Sequence, residues 1–133
     1  MKHLTFLIYT LHSITFSQFI EQPTQEIDKE YHENGSLKCI KTFKDGKQHG
    51  ETTFYFDTGQ KRIEYHYKEG KLHGQVLWFN HSGQIGWQEN YKEGIPEGKW
   101  IYYSSEGTQQ AVKIFKDGKE ISYTVLGKEI RTH

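Results

Sequence analysis

The sequence predicts an all-β fold, an antiparallel meander of about four 24-residue β-hairpin repeats forming one elongated, twisted sheet. Three observations predict it. Aromatic residues make up 15% of the chain against 34% hydrophobic residues in all, with 13 glycines and two prolines. That balance suits turn-rich β structure and does not suit disorder, which is poor in aromatics. A self-similar pattern recurs every 24 residues with no insertion. Between its turn signals lie alternating segments of six to eight residues, the length of strands and not of helices.

The 133 residues fit a single domain, preceded by an address. Residues 1–17, MKHLTFLIYTLHSITFS, carry Lys2 at a short basic start and an apolar stretch from Leu4 to Phe16. Thr15 and Ser17 stand at −3 and −1 if cleavage falls before Gln18, the pattern of a secretory signal peptide. The stretch is too short for a membrane span and is interrupted by Thr10, His12 and Ser13. An N-terminal core strand or helix is the alternative reading. The expected location is therefore exported: periplasmic, cell-surface or secreted. Residues 18–30 read as a lead-in or capping strand, 31–126 as the repeat sheet and 127–133 as a tail. Strands are expected near 27–32, 36–44, 50–56, 60–68, 74–80, 84–92, 98–104, 108–116 and 120–126.

Each repeat starts at an aromatic: Tyr31, Tyr55, Phe79, Tyr103. Four residues later stands a glycine: Gly35, Gly59, Gly83, Gly107. Eight further on comes a second aromatic, at Phe43, Tyr67, Tyr91 and Phe115. A Lys-acid-Gly triplet follows directly: Lys44-Asp45-Gly46, Lys68-Glu69-Gly70, Lys92-Glu93-Gly94 and Lys116-Asp117-Gly118. Gly50, Gly74 and Gly98 close three copies, with Ser122 in the fourth place. The segments Phe43-Lys-Asp-Gly-Lys-Gln-His-Gly50 and Tyr67-Lys-Glu-Gly-Lys-Leu-His-Gly74 resemble the MORN repeat. They are similar in particular to its bacterial variant, found in YwqK-family antitoxins. The resemblance covers roughly residues 31–118. The third copy departs from it with Ile95-Pro96-Glu97-Gly98, and the fourth lacks the closing glycine. The resemblance implies an interaction module and, further, an antitoxin or immunity-like role in which a toxin surface is occluded.

Turn chemistry sets the faces. A type I turn ending in a left-handed glycine fits Glu33-Asn34-Gly35, Asp57-Thr58-Gly59, His81-Ser82-Gly83 and Ser105-Glu106-Gly107 alike. That choice pairs Phe56 with Gln60 and is expected to pair Thr53 with Ile63. A core face would then collect Tyr31, Leu37, Cys39, Ile63, Leu77, Phe79, Ile85, Trp87, Ile101, Tyr103 and Ala111. The opposite face would carry Phe54, Trp78 and Tyr102 in successive repeats, with Trp100 and Val76 beside them. Arg62, Gly86 and Gln110 are expected opposite that row, with Glu64, His66 and Gln88 nearby. An aromatic row among polar residues on an open sheet is a candidate binding surface, with Phe54, Trp78, Trp100, Tyr102, Arg62 and Glu64 as its expected contacts. A sheet that curls over the row would bury it instead, and a different turn length would exchange the faces.

The chemistry of an enzyme is not legible. The 17 Lys plus Arg balance 17 Asp plus Glu, which argues against a nucleic-acid binder. The single cysteine, Cys39, forms neither a disulfide nor a thiolate zinc site by itself, and its place in the core pattern makes it a small hydrophobe. His49 and His73 are two strands apart, roughly 10 Å, too far to share an ion, so a turn role is expected for both. His66 and His81 have no paired partner at metal spacing. The acids of the Lys-acid-Gly triplets sit in solvated turns, and no nucleophile or phosphate-loop motif is present. No catalytic residue, cofactor or metal is expected. The expected partner is another protein, toxin-like or an envelope component. A glycan platform built on Trp78, Trp100 and Tyr102 and association with a membrane surface are the alternatives. The last is weakly supported, since no basic cluster faces anionic headgroups. An uncovered edge strand near 120–126 would also allow pairing with a second copy.

Overall fold

The computed structural model describes residues 24–127. The expected signal peptide, residues 18–23 and residues 128–133 lie outside the described residues. Ten strands follow one another: β1 (Gln25–Tyr31), β2 (Leu37–Lys44), β3 (Lys47–Tyr55), β4 (Lys61–Lys68), β5 (Lys71–Phe79), β6 (Ile85–Lys92), β7 (Ile95–Pro96), β8 (Gly98–Tyr103), β9 (Gln109–Lys116) and β10 (Lys119–Val125). All are antiparallel in a single sheet that does not close, in chain order except that β6 pairs with β8 as well as with the short β7, which pairs only with β6. Among the described residues there is no helix. The architecture is the meander that the 24-residue period predicts.

Two kinds of turn alternate along the chain. At one end of the sheet the hairpins close in two residues, with positive φ at both: Asp45 and Gly46 (50° and 74°), Glu69 and Gly70 (50° and 81°), Glu93 and Gly94 (52° and 82°), Asp117 and Gly118 (49° and 80°). Such turns match the right-handed twist of the strands they join. They also explain why β3 and β5 begin at Lys47 and Lys71, three residues before the expected 50 and 74. Gly50 (φ +87°) does not close a turn but sits inside β3, at an irregularity where the β2–β3 register shifts between Lys41 and Phe43. Thr42 fills that gap, its hydroxyl lying 2.6 Å from both the His49 and Glu51 carbonyls. One repeat later His66 Nδ1 meets the Gln75 carbonyl at 3.0 Å, and one repeat further Asn90 Nδ2 donates to the Lys99 carbonyl. In the third copy Glu97 separates β7 from β8, and its N–H bonds the Asn90 carbonyl at 2.9 Å.

At the other end the loops have the expected form. Phe56 N–H bonds the Gln60 carbonyl and Gly59 N–H the Phe56 carbonyl, both at 2.9 Å. The following pairs differ from expectation. Tyr55 pairs with Lys61, yet Phe54 pairs with Ile63, so Arg62 is an extra residue on β4. The same bulge recurs with Lys38, Gly86 and Gln110 as the extra residues. A bulge of one residue moves every side chain beyond it to the other face. One row therefore runs Glu30, Cys39, Phe54, Ile63, Trp78, Trp87, Tyr102, Ala111, Val125 across the sheet.

The expected core face is accordingly split. Cys39, Ile63, Trp87 and Ala111 share a face with the aromatic row, while Leu77 and Ile101 lie on the other side with Thr53 and Glu64. Tyr31 is 60% exposed. The most buried side chains are Cys39, Thr52, Val76, Thr53, Ile63 and Ala111, and all but Thr53 stand on the aromatic face. In a single-layer sheet, small side chains leave water only if large neighbours lean over them. Here the rings supply that cover.

Candidate functional site

The aromatic face is a continuous array of rings. Phe54 meets Tyr65 edge-on at 5.9 Å, Tyr65 meets Trp78 edge-on at 6.2 Å, and Trp78 stacks on Trp87 at 4.7 Å and 19°. A second run joins Tyr91 to Trp100 at 5.5 Å and Trp100 to Phe115 at 4.4 Å. Trp100 Nε1 donates to the Asn90 carbonyl at 3.1 Å, which fixes the ring against the β6–β8 junction. Edge-on and offset pairs of this kind add about 0.5–1.5 kcal/mol each beyond the area they bury.

Of the residues expected to form the site, the structure brings Phe54, Trp78 and Tyr102 into one row, with Trp100 on the same face two residues before Tyr102. All four are half-buried. Arg62 and Glu64 do not join them. Arg62 is the extra residue of its bulge, and its guanidinium lies 5.8 Å from the centre of the Phe56 ring at the loop end. Glu64 pairs with Thr53 and Leu77 on the opposite face and bonds Lys61 at 2.6 Å. The one-residue bulge accounts for both corrections. Trp87, expected in the core, is instead the exposed ring of the row at 37%. Of the bulge residues only Gly86, a glycine inside a strand, carries a signal in the sequence; Arg62 and Gln110 carry none.

Burial raises the pKa of three tyrosines, Tyr65, Tyr67 and Tyr91. Tyr65 and Tyr67 both rise through desolvation. Tyr91 is pushed up to about 12 by burial first and by the charge of Glu89, to which its hydroxyl donates at 3.1 Å, second. Burial likewise raises Cys39, which keeps the thiol protonated and unreactive. Two polar atoms on this face, Thr52 Oγ1 and Trp78 Nε1, are buried without a hydrogen-bond partner.

The two-residue turns form a ladder from repeat to repeat. Gly70, Gly94 and Gly118 donate their N–H groups to the carbonyls of Gln48, Leu72 and Pro96 at 2.8, 2.7 and 3.0 Å. His49 Nδ1 meets Glu69 at 3.3 Å and His73 Nδ1 meets Glu93 at 3.0 Å, so both histidines have the turn role that their spacing implies. Glu97 takes the equivalent place in the third copy and accepts the Asp117 N–H at 2.8 Å. Glu69 also accepts from Lys47, whose hydrogen bond and charge hold its carboxyl below the usual range.

Among the described residues, ligating groups converge at one place. Glu51, Glu64 and His66 bring a ligand atom each to within 4.8 Å of one another, on the face opposite the rings. The expectation that His66 has no neighbour at metal spacing is thus corrected. The cross-strand pair Glu51–His66 supplies what spacing along the chain does not.

Residues 29–45 and 48–69 match the family model of the MORN repeat variant. The match supports a MORN-repeat family, and the 24-residue period carries the same motif onward to Gly118. MORN repeats generally act as protein- and membrane-interaction modules. No curated protein matches the chain. Among solved structures, that of accessory secretory proteins 1, 2 and 3 of Streptococcus pneumoniae is 16% identical with a TM-score of 0.44, over 69% of this chain and 17% of that one. A structure of TarM is 14% identical with a TM-score of 0.47, over 78% and 22%. The GtfA/B complex bound to UDP and GlcNAc is 16% identical with a TM-score of 0.26, over 83% and 26%. The chain thus spans about a quarter or less of these structures' lengths.

Proposed function

We propose that this protein is a non-catalytic interaction module that docks another protein on its aromatic sheet face. The observation that carries the reading is the row Phe54–Trp78–Trp87–Tyr102, which no second layer covers among the described residues. A partner laid on that face completes the burial that a single-layer sheet cannot provide, and aromatic rings are the side chains that contribute most at such contacts. The signal peptide pattern of residues 1–17 supports export, and the likeness of the Lys-acid-Gly-x-x-His-Gly segments to YwqK-family antitoxins supports an immunity-like role outside the cytoplasm. A second reading, binding of envelope glycans, rests on the stacked Trp78–Trp87 pair, because an exposed indole face is a platform for a sugar ring.

The test is co-purification from the cells that express the protein, with wild type as bait beside Trp87→Ala and Leu77→Ala. Phe54, Trp78 and Tyr102 are poor choices for this purpose, because they cover the buried side chains and their loss would unfold the face. A protein partner lost with Trp87→Ala and kept with Leu77→Ala supports the reading. Equal recovery with both variants contradicts it. Soluble glycans that quench tryptophan fluorescence in wild type and not in Trp87→Ala would favour the second reading. Rescue of cells from a co-expressed toxic neighbour would support the immunity role, and an intact N-terminus on the exported-fraction protein would contradict cleavage near Ser17.

A further inference from the structure

We infer that Glu51, Glu64 and His66 form a binding site for a first-row divalent metal ion such as Zn²⁺, on the face opposite the aromatic row. The inference is independent of the docking reading. The three residues occupy three corners of one cross-strand patch: Glu51 pairs directly with His66, and Glu64 precedes His66 on the same side of β4. Their ligand atoms lie within 4.8 Å of one another. Zinc holds such groups at about 2.0–2.2 Å, so small side-chain rotations close the set around an ion and leave further positions to water.

The site is oriented from behind. His66 Nδ1 is committed to the Gln75 carbonyl at 3.0 Å, which leaves Nε2 for an ion. The Thr53 hydroxyl, on a residue only 3% exposed, donates to Glu51 at 2.6 Å. Ligating imidazoles and carboxylates are characteristically held by outer hydrogen bonds of this kind. Lys61 is the present counter-ion, with Nζ 2.6 Å from Glu64 and 3.9 Å from Glu51. One ammonium leaves the two carboxylates with a net negative charge, and its side chain, 46% exposed, is free to swing into water.

The next repeat supplies an internal control. Twenty-four residues on, the same three places hold Gln75, Gln88 and Asn90, the neutral amide counterparts, with Ile85 in place of Lys61. Gln75 pairs with Asn90 as Glu51 pairs with His66, and Asn90 donates to the Lys99 carbonyl as His66 meets Gln75. The backbone irregularity is therefore satisfied by amides alone. Two carboxylates and an imidazole at the earlier places go beyond what the fold requires, and a cation is the ligand chemistry they share.

The test titrates the full-length protein with Zn²⁺ by calorimetry and with Co²⁺ by visible absorption. Saturable binding of one ion is expected, with a tetrahedral or five-coordinate cobalt spectrum. Lys61→Met should tighten binding severalfold by removing the competing ammonium. Thr53→Val should weaken it about tenfold or more through the outer hydrogen bond. Converting the site to the residues found 24 positions further on, Glu51→Gln with Glu64→Gln and His66→Asn, should abolish binding with the β circular dichroism unchanged. Should that variant fail to fold, His66→Asn alone replaces it, with the same expectation. His49→Ala with His73→Ala should leave binding intact. The inference is overturned if neither wild type nor Lys61→Met shows saturable binding at millimolar metal, if His66→Asn binds as wild type does, or if the His49/His73 variant is the one that loses the ion.

Discussion

The two faces of this sheet use their large side chains differently. On one, rings from adjacent strands touch in series from Phe54 through Tyr65 and Trp78 to Trp87, and beneath them Cys39 and Val76 are 0% and 1% exposed. On the other, Leu77 and Ile101 stand in a row with Gln88, Glu64 and Thr53, and only Thr53 is buried. The difference teaches that a single-layer sheet builds a core on whichever face has rings wide enough to bridge the spacing between strands.

The largest effect that would break this comparison comes from Trp78. Replacement by alanine should destabilise the fold by about 3 kcal/mol or more in urea unfolding, since the ring contacts both Tyr65 and Trp87. Leu77→Ala, one residue away on the other face, should cost about 1 kcal/mol, because the side chain is only half-buried. Similar losses from the two would refute the assignment of the core to the ring face.

Gly50 tests the irregularity on which the faces depend. It sits at φ +87°, and a Cβ there would meet Thr42 Oγ1 at 3.2 Å. Gly50→Ala should cost about 1–2 kcal/mol in the same assay for the left-handed conformation. Gly59, at φ +89° with open space around it, should cost about 1 kcal/mol when changed to alanine. Trp87→Ala should be milder, at about 1 kcal/mol, since the ring is 37% exposed. Its main consequence should be lost partner capture.

The smallest effects are those of pH. Tyr91 has a folded pKa raised from 10.0 to about 12, so its neutral form is favoured in the native state. Its contribution is present below pH 10 and lost as pH rises from there towards 12. Tyr91→Phe should flatten that alkaline decline in thermal unfolding. Glu69 is lowered by Lys47, so its contribution is present above the ordinary carboxylate range and lost as pH falls through its folded value. Glu69→Gln should converge with wild type in acid and differ slightly at neutral pH.

Much of this fold was legible because its signals are local. The 24-residue period, the alternating segments and the left-handed glycines at 35, 59, 83 and 107 each follow from residues close in sequence. The pairing of Phe56 with Gln60 followed from the loop alone. The faces did not, because the extra residues Arg62, Gly86 and Gln110 have no common chemistry by which a bulge could be recognised. One unrecognised residue per hairpin placed Trp87 beneath the wrong face and put Glu64 beside rings that it does not touch. The metal-competent trio was hidden for a related reason, since Glu51 reaches His66 only through cross-strand register.

That register is accessible directly by solution NMR on the full chain, through cross-strand backbone Overhauser contacts. Contacts placing Phe54 opposite Ile63 and Trp78 opposite Trp87 are expected, with Arg62 and Gly86 unpaired. Contacts placing Thr53 opposite Ile63 and Leu77 opposite Trp87 would return the rings to a face of their own and contradict the assignment of core and docking surface to one side of the sheet.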